Sequence, residues 1–251
     1  MSSLRHLLYP VLRLFRRLRF HLQPRSIQGY DQKFLAELIV QADKRSLDSG
    51  VFPDCVITEV LAHWPSTQSL RILDFGGGGG RHGFNFPGKN TKWAVVETES
   101  MVAAAKIDLE RDWLSFHNDI EDAGRTLGGV DIAHVSSSLQ YTPRPIEFLE
   151  ELLSVGAEYV LLEKLVITDR LTPIKFFQYS MLRDNVPGRL LPHGVSDQAV
   201  RYLLTAEPKH QILSIARKDY SIVREWQDPP QSHLPLCKSL SQVGLLLQRK
   251  G

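Results

Sequence analysis

The sequence predicts an α/β protein: a doubly wound, mostly parallel sheet with a basic helix before it and an insertion after its fifth strand. Short apolar runs alternate with helical patterns from residue 70 to residue 164, as in parallel sheets that carry helices on both faces. The chain has 251 residues and is 43% apolar, which is enough to build a sizeable core. We expect one domain over residues 29–251, preceded by a basic amphipathic helix within residues 1–28.

The N-terminal arm is basic and amphipathic. The first 30 residues hold six basic residues and no acidic one, whereas the remaining 24 basic and 28 acidic residues leave the rest of the chain at −4. Apolar residues recur at helical spacing on one face, at Val11, Leu14, Phe15, Leu18 and Leu22. Arginines occupy the opposite face, at Arg13, Arg16 and Arg17. We expect Pro10 to begin this helix and Pro24 to end it.

The sequence leaves two interpretations of the arm open. At ~1.5 Å per residue the helix is about 20 Å long, too short to cross a hydrocarbon core of ~30 Å. One interpretation places residues 5–22 on an anionic membrane surface, with Arg13, Arg16, Arg17 and Arg19 facing the lipid headgroups. In the other, the helix packs its apolar face against the body of the protein. Phe20, on the arginine side, favours the membrane.

Composition limits the compartment and the partners. Cys55 and Cys237 form no CxxC pair, which suits a reducing compartment and argues against a disulfide framework. No secretory signal is recognised in the arm, so we expect a cytoplasmic protein, peripheral at the inner membrane face if the arm binds lipid. A mildly acidic body is unlike that of a nucleic-acid-binding protein. The oligomeric state is not predicted.

Seven strands are predicted, five of them in the first part of the sheet. These five cover residues 70–75, 93–97, 113–117, 130–136 and 159–164, and the helices between them cover residues 99–110, 121–127 and 146–155. A further helix is predicted over residues 196–204. Two late strands are predicted over residues 211–216 and 243–248.

Residues 169–195, rich in proline, arginine and phenylalanine, fit neither pattern. They follow the fifth strand, and inserted segments of this length are usually functional or disordered. We expect them to form a lid over a substrate, with Phe176, Phe177 and Tyr179 as its apolar or stacking walls. The alternative is that these aromatic residues pack the insertion onto the sheet.

Five consecutive glycines follow the first predicted strand, in the segment RILDFGGGGGRHGF at residues 71–84. Glycine loses the most conformational freedom on folding, so a run of five requires a reason. We expect these glycines to let backbone N–H groups approach a ligand at the carboxyl end of the sheet, where open α/β sheets bind ligands. Asp74, Gly76, Gly78 and Gly80 form a DxGxGxG pattern.

Acidic residues follow the next two strands. Glu97 closes the second strand, where a carboxylate can accept hydrogen bonds from both hydroxyls of a ribose. Asp119 follows the third strand, in the segment FHND, and we expect it to accept a hydrogen bond from an adenine amine. Three matches in register on successive strands predict a ligand that contains a nucleoside.

Two kinds of nucleoside cofactor fit this pattern. Gly78, Gly80 and Gly83 match the GxGxxG of dinucleotide-binding proteins. That fold needs a helix directly after the glycines, because its N-terminus binds the pyrophosphate. Pro87 and Gly88 interrupt the segment that follows, so a methyl donor without phosphates is favoured over a nicotinamide dinucleotide.

The chain resembles the class I S-adenosylmethionine-dependent methyltransferases, with LDFGGGGG at residues 73–80 as their first motif. More narrowly, it is similar to a methyltransferase family sometimes associated with bacterial surface-polysaccharide loci, through GYD at 29–31, WAVVE at 93–97 and SSSLQYTPRPIEFL at 136–149. The similarity covers residues 29–170. It implies a seven-stranded Rossmann-like methyltransferase sheet with S-adenosyl-L-methionine as cofactor. It also implies that acidic and small polar residues at the strand ends, Ser137 among them, contact that cofactor.

The catalytic candidates are Tyr141, Gln140 and His82. Tyr141 follows the fourth strand, where such folds face the transferred methyl group, and an aromatic ring can contact a sulfonium. We expect Gln140 to orient the acceptor and His82 to act as a general base from the glycine segment.

Other polar residues have weaker cases. His193 would reach the site from the insertion, Glu163 would end the fifth strand in a capping or solvated position, and His134 would be a buried, hydrogen-bonded core residue. No metal-ligand spacing is recognised, so we expect a metal-independent protein. The absence of a GxSxG segment argues against a hydrolase.

The sequence therefore predicts an S-adenosylmethionine-dependent methyltransferase whose acceptor is a small molecule or a saccharide of the cell envelope. Such an enzyme must align donor and acceptor and exclude water. It needs a general base only for a poor nucleophile such as a sugar hydroxyl. Two alternatives are a catalytically inactive S-adenosylmethionine-binding scaffold or regulator at the membrane, and an NAD(P)-dependent oxidoreductase.

Overall fold

The computed structural model describes residues 2–23, 27–50, 57, 69–85, 90–228 and 239–251. Both cysteines, Cys55 and Cys237, lie outside the described residues. The same holds for the expected helix stop at Pro24 and for the interruption at Pro87 and Gly88.

The described residues form ten strands and six α-helices. The strands are β1 (Ile27–Gln28), β2 (Leu70–Phe75), β3 (Thr91–Val96), β4 (Leu114–His117), β5 (Ile132–Ser136), β6 (Tyr159–Thr168), β7 (Ile174–Met181), β8 (Ala199–Pro208), β9 (Tyr220–Gln227) and β10 (Leu240–Arg249). The helices are α1 (Ser2–Leu22), α2 (Lys33–Ser49), α3 (Glu99–Asp108), α4 (Ile120–Leu127), α5 (Pro145–Ser154) and α6 (Lys209–Ala216).

The predicted α/β class with a mostly parallel sheet is confirmed. Strands β4, β3, β2, β5 and β6 lie side by side in that order and are parallel. β10 pairs antiparallel with β6 and with β9, so seven strands form one continuous series. The other three, β1, β7 and β8, are connected through the end of β6, where Ile167 pairs with Glu207. The described sheet thus has ten strands where the sequence predicts seven.

Helices cover both faces of the sheet. Successive side chains of a strand point to opposite faces, and here both sets are apolar and need to be covered. The face that includes Leu73 of β2 packs against α4, α5 and α6. The opposite face, which includes Ile72, packs against α2 and α3. The carboxyl ends of the parallel strands meet at one edge, which carries the glycine segment after β2, Glu97 after β3 and Ser137 after β5.

Two predictions late in the chain are wrong. Residues 196–204 contain the start of strand β8 instead of a helix, and residues 211–216 belong to helix α6 instead of a strand. Most residues of β8 are buried, and the apolar run of such a strand has no period that separates it from a buried helix. In α6, Ile212 and Ala216 are four residues apart and pack on the core together. The sequence analysis also misses β9, whereas β10 confirms the strand predicted over residues 243–248.

The insertion after β6, residues 169–195, contains strand β7 and is not only a loop. β7 and β8 pair antiparallel along their length, from Ile174 opposite Ala206 to Met181 opposite Ala199. Because side chains alternate along β7, the three predicted lid walls do not share a face. Phe176 packs in the cluster that includes Tyr141, whereas Tyr179 packs against α1 on the other side. Phe177 shares its face with Tyr179, so Phe176 alone of the three lies on the side of Tyr141, and the lid itself stays a prediction.

Helix α1 is longer than predicted, because it begins at Ser2 and contains Pro10 in its interior. It packs on β7 and β8 by its arginine side, where Phe20 is buried against Tyr179, Met181 and Ala199. This contact overturns the argument that Phe20 favours a membrane. The docking interpretation is right about the contact and wrong about the face. No helix in the described part of the chain is both long and apolar enough to cross a bilayer.

Candidate functional site

Gly76 to Gly80 form a turn at the carboxyl end of β2, and packing within the protein requires four of these glycines. A Cβ atom on each of the four would lie 2.1–2.8 Å from a neighbouring side chain: Ser138 for Gly76, Asp74 for Gly77, Asp43 for Gly79 and Leu114 for Gly80. Side chains are thus excluded by the protein itself at these positions. This corrects the expectation that ligand approach explains the whole run.

The backbone N–H groups of the turn are also largely used within the protein. They donate to Val96 O (from Gly76), Glu97 Oε1 (from Gly78), Asp43 Oδ2 (from Gly79) and Gly77 O (from Gly80). Four of the five N–H groups are therefore engaged within the protein, and the approach of the turn's backbone to a ligand stays a prediction. Gly77 is the one glycine of the turn whose N–H makes none of these four bonds.

Gly78 differs from its neighbours in having room for a Cβ atom, since the nearest atom would be Ile39 Cγ2 at 3.7 Å. Its φ of +60° is a left-handed conformation, which glycine adopts without strain. Its N–H donates to Oε1 of Glu97 at 3.1 Å, and the N–H of Thr98 donates to Oε2 at 2.9 Å. The glycine turn and the predicted ribose-binding carboxylate are therefore in direct contact.

The carboxylate of Glu97 is poorly compensated. Burial raises the pKa of Glu97, the N–H groups of Thr98 and Gly78 lower it, and the nearby carboxylates of Asp74 and Asp31 raise it further. The net result is a pKa above the ordinary value. Each carboxylate oxygen can accept a second hydrogen bond. Two further donors would stabilise the charge of Glu97, and the two hydroxyls of a ribose are such donors.

Asp43 on α2 is a site residue that the sequence analysis misses. It is 1% exposed, and its Oδ2 accepts the N–H of Gly79 at 3.1 Å. Its other oxygen, Oδ1, has no hydrogen-bond partner among the described residues. Burial raises the pKa of Asp43 to about 7, although Arg81 and Gly79 act in the opposite direction. The signal that could have found it is an acidic residue on the apolar face of a helix.

A buried chain of charged side chains lies beneath the turn. Nδ1 of His134 is 2.9 Å from Asp74 Oδ1, and Nε2 is 2.7 Å from Glu163 Oε2. Burial alone would lower the pKa of His134, but the two carboxylates raise it to about 9. Conversely, although burial acts to raise the pKa of both carboxyls, His134 holds each below its ordinary value. We therefore assign an imidazolium between two carboxylates.

These contacts show the surroundings of three predicted residues, His134, Glu163 and Asp74. His134 is a hydrogen-bonded core residue as predicted, with no exposed surface. Glu163 is neither solvated nor a cap, because it lies within β6 and is 5% exposed. Both oxygens of Asp74 are used: Oδ1 faces His134, and Oδ2 accepts the indole N–H of Trp93 at 3.1 Å. Asp74 is buried, and it supports the turn from below.

His82 lies beside this chain of side chains. Its Nδ1 is 3.6 Å from Asp74 Oδ2 and has no hydrogen-bond partner among the described residues. Ligand-type atoms of Asp74, His82 and His134 all lie within 4.8 Å of one another, a grouping that the sequence does not predict. We interpret the group as an ion-pair network, because both ring nitrogens of His134 already face carboxylate oxygens.

Tyr141 belongs to an aromatic cluster that joins the insertion to the strand ends. Its ring centroid is 5.1 Å from that of Tyr30 and 6.1 Å from that of Tyr202, and Tyr30 stacks on Tyr202 at 3.9 Å. Its hydroxyl donates to Gln178 Oε1 on β7 at 2.6 Å. Burial raises the pKa of Tyr141 above its ordinary value, so the hydroxyl stays protonated at neutral pH. Gln178 is not among the predicted site residues, and no role is predicted for Tyr30, the middle residue of the GYD segment.

Gln140 is 1% exposed, and its amide donates to Lys164 O at 3.2 Å and to Ser137 Oγ at 3.4 Å. Its Oε1 has no hydrogen-bond partner among the described residues. Ser137 and Lys164 both have positive φ, of 59° and 53°. Gln140 thus hydrogen-bonds to two residues with strained backbone, one after β5 and one within β6. Its predicted contact with an acceptor stays a prediction.

Asp119 and His193 lie apart from these contacts. Asp119 is exposed and begins α4, where its Oδ1 accepts the N–H of Asp122 at 2.7 Å. Its proposed contact with an adenine amine stays a prediction. His193 is exposed in the connection between β7 and β8. The structure brings together Asp74, His82, Gly76 to Gly80 and Glu97, with Ser137, Gln140 and Tyr141 at the neighbouring strand end.

An open cavity of about 270 Å³ lies between the insertion and Arg81, the residue that follows the glycine turn. Arg81 lines it on one side and residues 184–189 on the other. Much of its lining is polar, because Arg81, Asp184, Asn185 and Arg189 all contribute. The insertion therefore approaches Arg81, next to the glycine turn, through polar residues of this segment.

No protein-family model matches the chain, and no curated protein matches it. The solved structures to which the chain is similar include the following three. The N-terminal domain of EvdMO1, solved in the presence of SAH and D-fucose, is 13% identical, with 95% of this chain and 97% of that chain covered and a TM-score of 0.49. The [4+2]-cyclase SpnF is 14% identical over 90% and 99%, with a TM-score of 0.48. CrArsM, an arsenic(III) S-adenosylmethionine methyltransferase from Chlamydomonas reinhardtii, is 16% identical over 79% and 74%, with a TM-score of 0.47.

Proposed function

We propose that this chain is an S-adenosylmethionine-dependent methyltransferase. The observation that carries the proposal is the contact between Gly78 and Glu97 at the carboxyl edge of the sheet. There, a partly buried carboxylate with a raised pKa lies beside the one glycine of the turn that has free space on its Cβ side. A ribose diol would supply the donors that Glu97 lacks and would fit against the small residue.

The residues that would hold the cofactor follow from these contacts. Glu97 would accept the ribose hydroxyls, and the N–H of Gly77 would donate to the methionine carboxylate. Asp43, Asp74 and Ser138 hold the turn in place from the protein side. When bound, the cofactor supplies an electrophilic methyl group on a sulfonium. The protein's task is to align that group with an acceptor and to exclude water.

Two features support a methyl donor over a nicotinamide dinucleotide. After the turn, the described residues form only the three-residue 3-10 turn Gly83–Asn85, so they offer no helix N-terminus for a pyrophosphate. The carboxylate of Asp31 adds to the negative charge of Glu97 at this edge, whereas that of Asp74 is compensated by His134. A negative edge favours the cationic sulfonium and disfavours phosphates.

The acceptor is proposed to be a hydroxyl-rich small molecule, such as a saccharide, bound in the cavity beside Arg81. Support comes from the polar lining by Arg81, Asn185 and Arg189, which can hydrogen-bond several hydroxyls. Because burial keeps Tyr141 protonated, a base for a sugar hydroxyl would have to be another group. His82 is the proposed base, because its Nδ1 lies 3.6 Å from Asp74 Oδ2 and that carboxylate would stabilise the imidazolium formed when the ring takes up a proton.

Incubation with methyl-labelled S-adenosylmethionine and a cell-envelope extract tests the proposed function. We expect label to enter the saccharide fraction only in the presence of the protein. At low cofactor concentration, Glu97→Ala should slow transfer between several-fold and about a hundredfold, whereas the exposed control Glu121→Ala should leave the rate unchanged. Cofactor binding without transfer to any fraction would favour an inactive scaffold. Binding of NADH but not of S-adenosylhomocysteine would favour an oxidoreductase.

A further inference from the structure

Helix α1 carries an apolar stripe that faces away from the rest of the protein. Five large apolar residues of one helical face are each 53% to 83% exposed: Val11, Leu14, Phe15, Leu18 and Leu22. At ~1.5 Å per residue the stripe is about 17 Å long. Helices on the surface of a globular protein normally turn such a face to the core. Its exposure therefore calls for a partner.

The opposite face of α1 holds the helix in this orientation. Phe20 is 6% exposed and packs on Tyr179, and the Arg201 guanidinium lies 5.0 Å from its ring centroid. Arg16 donates to Asp184 Oδ2 at 3.1 Å, and Arg19 donates to Asp197 O at 2.5 Å. Because arginine and Phe20 contacts anchor α1 to the body, the stripe cannot turn inward without breaking them.

Charge around the stripe identifies the occupant. The first 30 residues contain no acidic side chain, the exposed residues Arg19 and His21 flank the stripe, and the exposed Arg17 lies further round the helix. Two copies of this face would bring like charges together, which disfavours self-association. An anionic lipid surface, in contrast, offers acyl chains to the stripe and phosphates to the arginines beside it.

We infer that α1 lies in the headgroup region of an anionic membrane and inserts its apolar stripe, so that the body is held at the surface. Electrostatic attraction alone would not hold α1 on the membrane, because two of its arginines already bind the protein. Arg16 donates to Asp184, and Arg19 donates to Asp197. Burial of the stripe should therefore supply most of the affinity, with Arg17 adding a smaller, salt-sensitive part. This inference does not depend on the proposed methyl transfer.

Flotation of the full-length protein with vesicles of phosphatidylcholine and phosphatidylglycerol tests the inference. The test variant is L14S/F15S/L18S, whose three side chains are all exposed, so the fold should be preserved. The matched control is I107S/L171S/V223S, which removes three exposed apolar side chains elsewhere. We expect wild type and control to float with the vesicles, and the stripe variant to lose at least about 100-fold in partition coefficient.

Four outcomes would overturn the inference, three of them without a change of salt. Wild-type protein that stays at the bottom of the gradient would do so, as would a stripe variant that floats like wild type. The third is a dimer in analytical ultracentrifugation that the stripe variant abolishes, because the occupant would then be a second copy. Raised salt should weaken flotation of wild type only several-fold, and complete release by salt would contradict anchoring by the stripe.

Discussion

Oδ2 of Asp43 lies 3.1 Å from the backbone nitrogen of Gly79 and accepts its N–H, so a carboxylate on α2 holds the centre of the glycine turn. The contact is buried, and a Cβ atom on Gly79 would lie 2.5 Å from the same oxygen. It makes the shape of the candidate cofactor site depend on a residue far from the glycine motif in sequence. It also places a titratable group with a pKa of about 7 beneath that site.

Asp43→Asn should remove a pH dependence of stability. The pKa of Asp43 is about 7 in the folded chain, against an ordinary value of 3.8. Between these two pH values the carboxyl is ionised in the unfolded chain but stays protonated in the folded chain. The free energy of unfolding should therefore fall as pH rises from about 4 to 7. Asparagine still accepts the Gly79 N–H, so the variant should be more stable than wild type above pH 7, by up to about 4 kcal/mol.

Urea denaturation across this pH range measures the effect of Asp43→Asn. The exposed Asp48→Asn is the control, and it should leave the pH profile unchanged. Equal stability of Asp43→Asn and wild type at every pH would contradict the assigned burial of an ionising carboxylate.

Alanine substitutions should separate the two roles within the glycine turn. Gly79→Ala places a Cβ atom 2.5 Å from Asp43 and 2.7 Å from Leu109 Cδ1, so we expect a loss of about 2–4 kcal/mol in unfolding free energy. Gly78→Ala meets no close atom and should cost only the left-handed strain, about 1–2 kcal/mol. Chemical denaturation compares them, and equal losses would be contrary to expectation.

The sequence is most informative where a short stretch of residues by itself determines the local secondary structure. The run at residues 70–75 predicts β2 because a strand buried on both faces is continuously apolar. The same property misleads at β8, whose apolar run resembles a helix. The contact of Asp43 with Gly79 and the bond from His134 to Glu163 could not be predicted, because they depend on how α2, β5 and β6 pack against the rest of the sheet. Gly78 and Glu97 follow consecutive strands, so their proximity could be predicted.

His134 should titrate well above an ordinary histidine. Its pKa of about 9 lies above the ordinary 6.5, so its contribution to stability is complete below about pH 6.5 and is lost as pH rises through 9. NMR of the histidine ring signals should show one late transition, absent in His134→Gln. That variant should lose about 3–5 kcal/mol at pH 7, because it leaves buried carboxylates uncompensated. The exposed His210→Gln is the control, and loss of the late transition in this variant would refute the assignment.

Tyr141 should act through its ring and not as a base. Tyr141→Phe keeps the ring but removes the hydroxyl that donates to Gln178, so we expect about 1–2 kcal/mol of lost stability with turnover kept within several-fold. Tyr141→Ala removes the ring and should lower kcat at least about tenfold. Methyl-transfer kinetics distinguish the two, and abolished turnover in Tyr141→Phe would show instead that the hydroxyl is essential.

Calorimetric titration with S-adenosylhomocysteine tests the central claim most directly. We expect wild-type protein to bind it with a dissociation constant in the micromolar range, which corresponds to a binding free energy of about −8 kcal/mol. Glu97→Ala should weaken binding between several-fold and about a hundredfold, because the ribose loses its acceptor, while the exposed control Glu121→Ala should bind as wild type does. NADH should give no heat of binding. Binding of NADH together with no binding of S-adenosylhomocysteine by the wild-type protein would contradict the account.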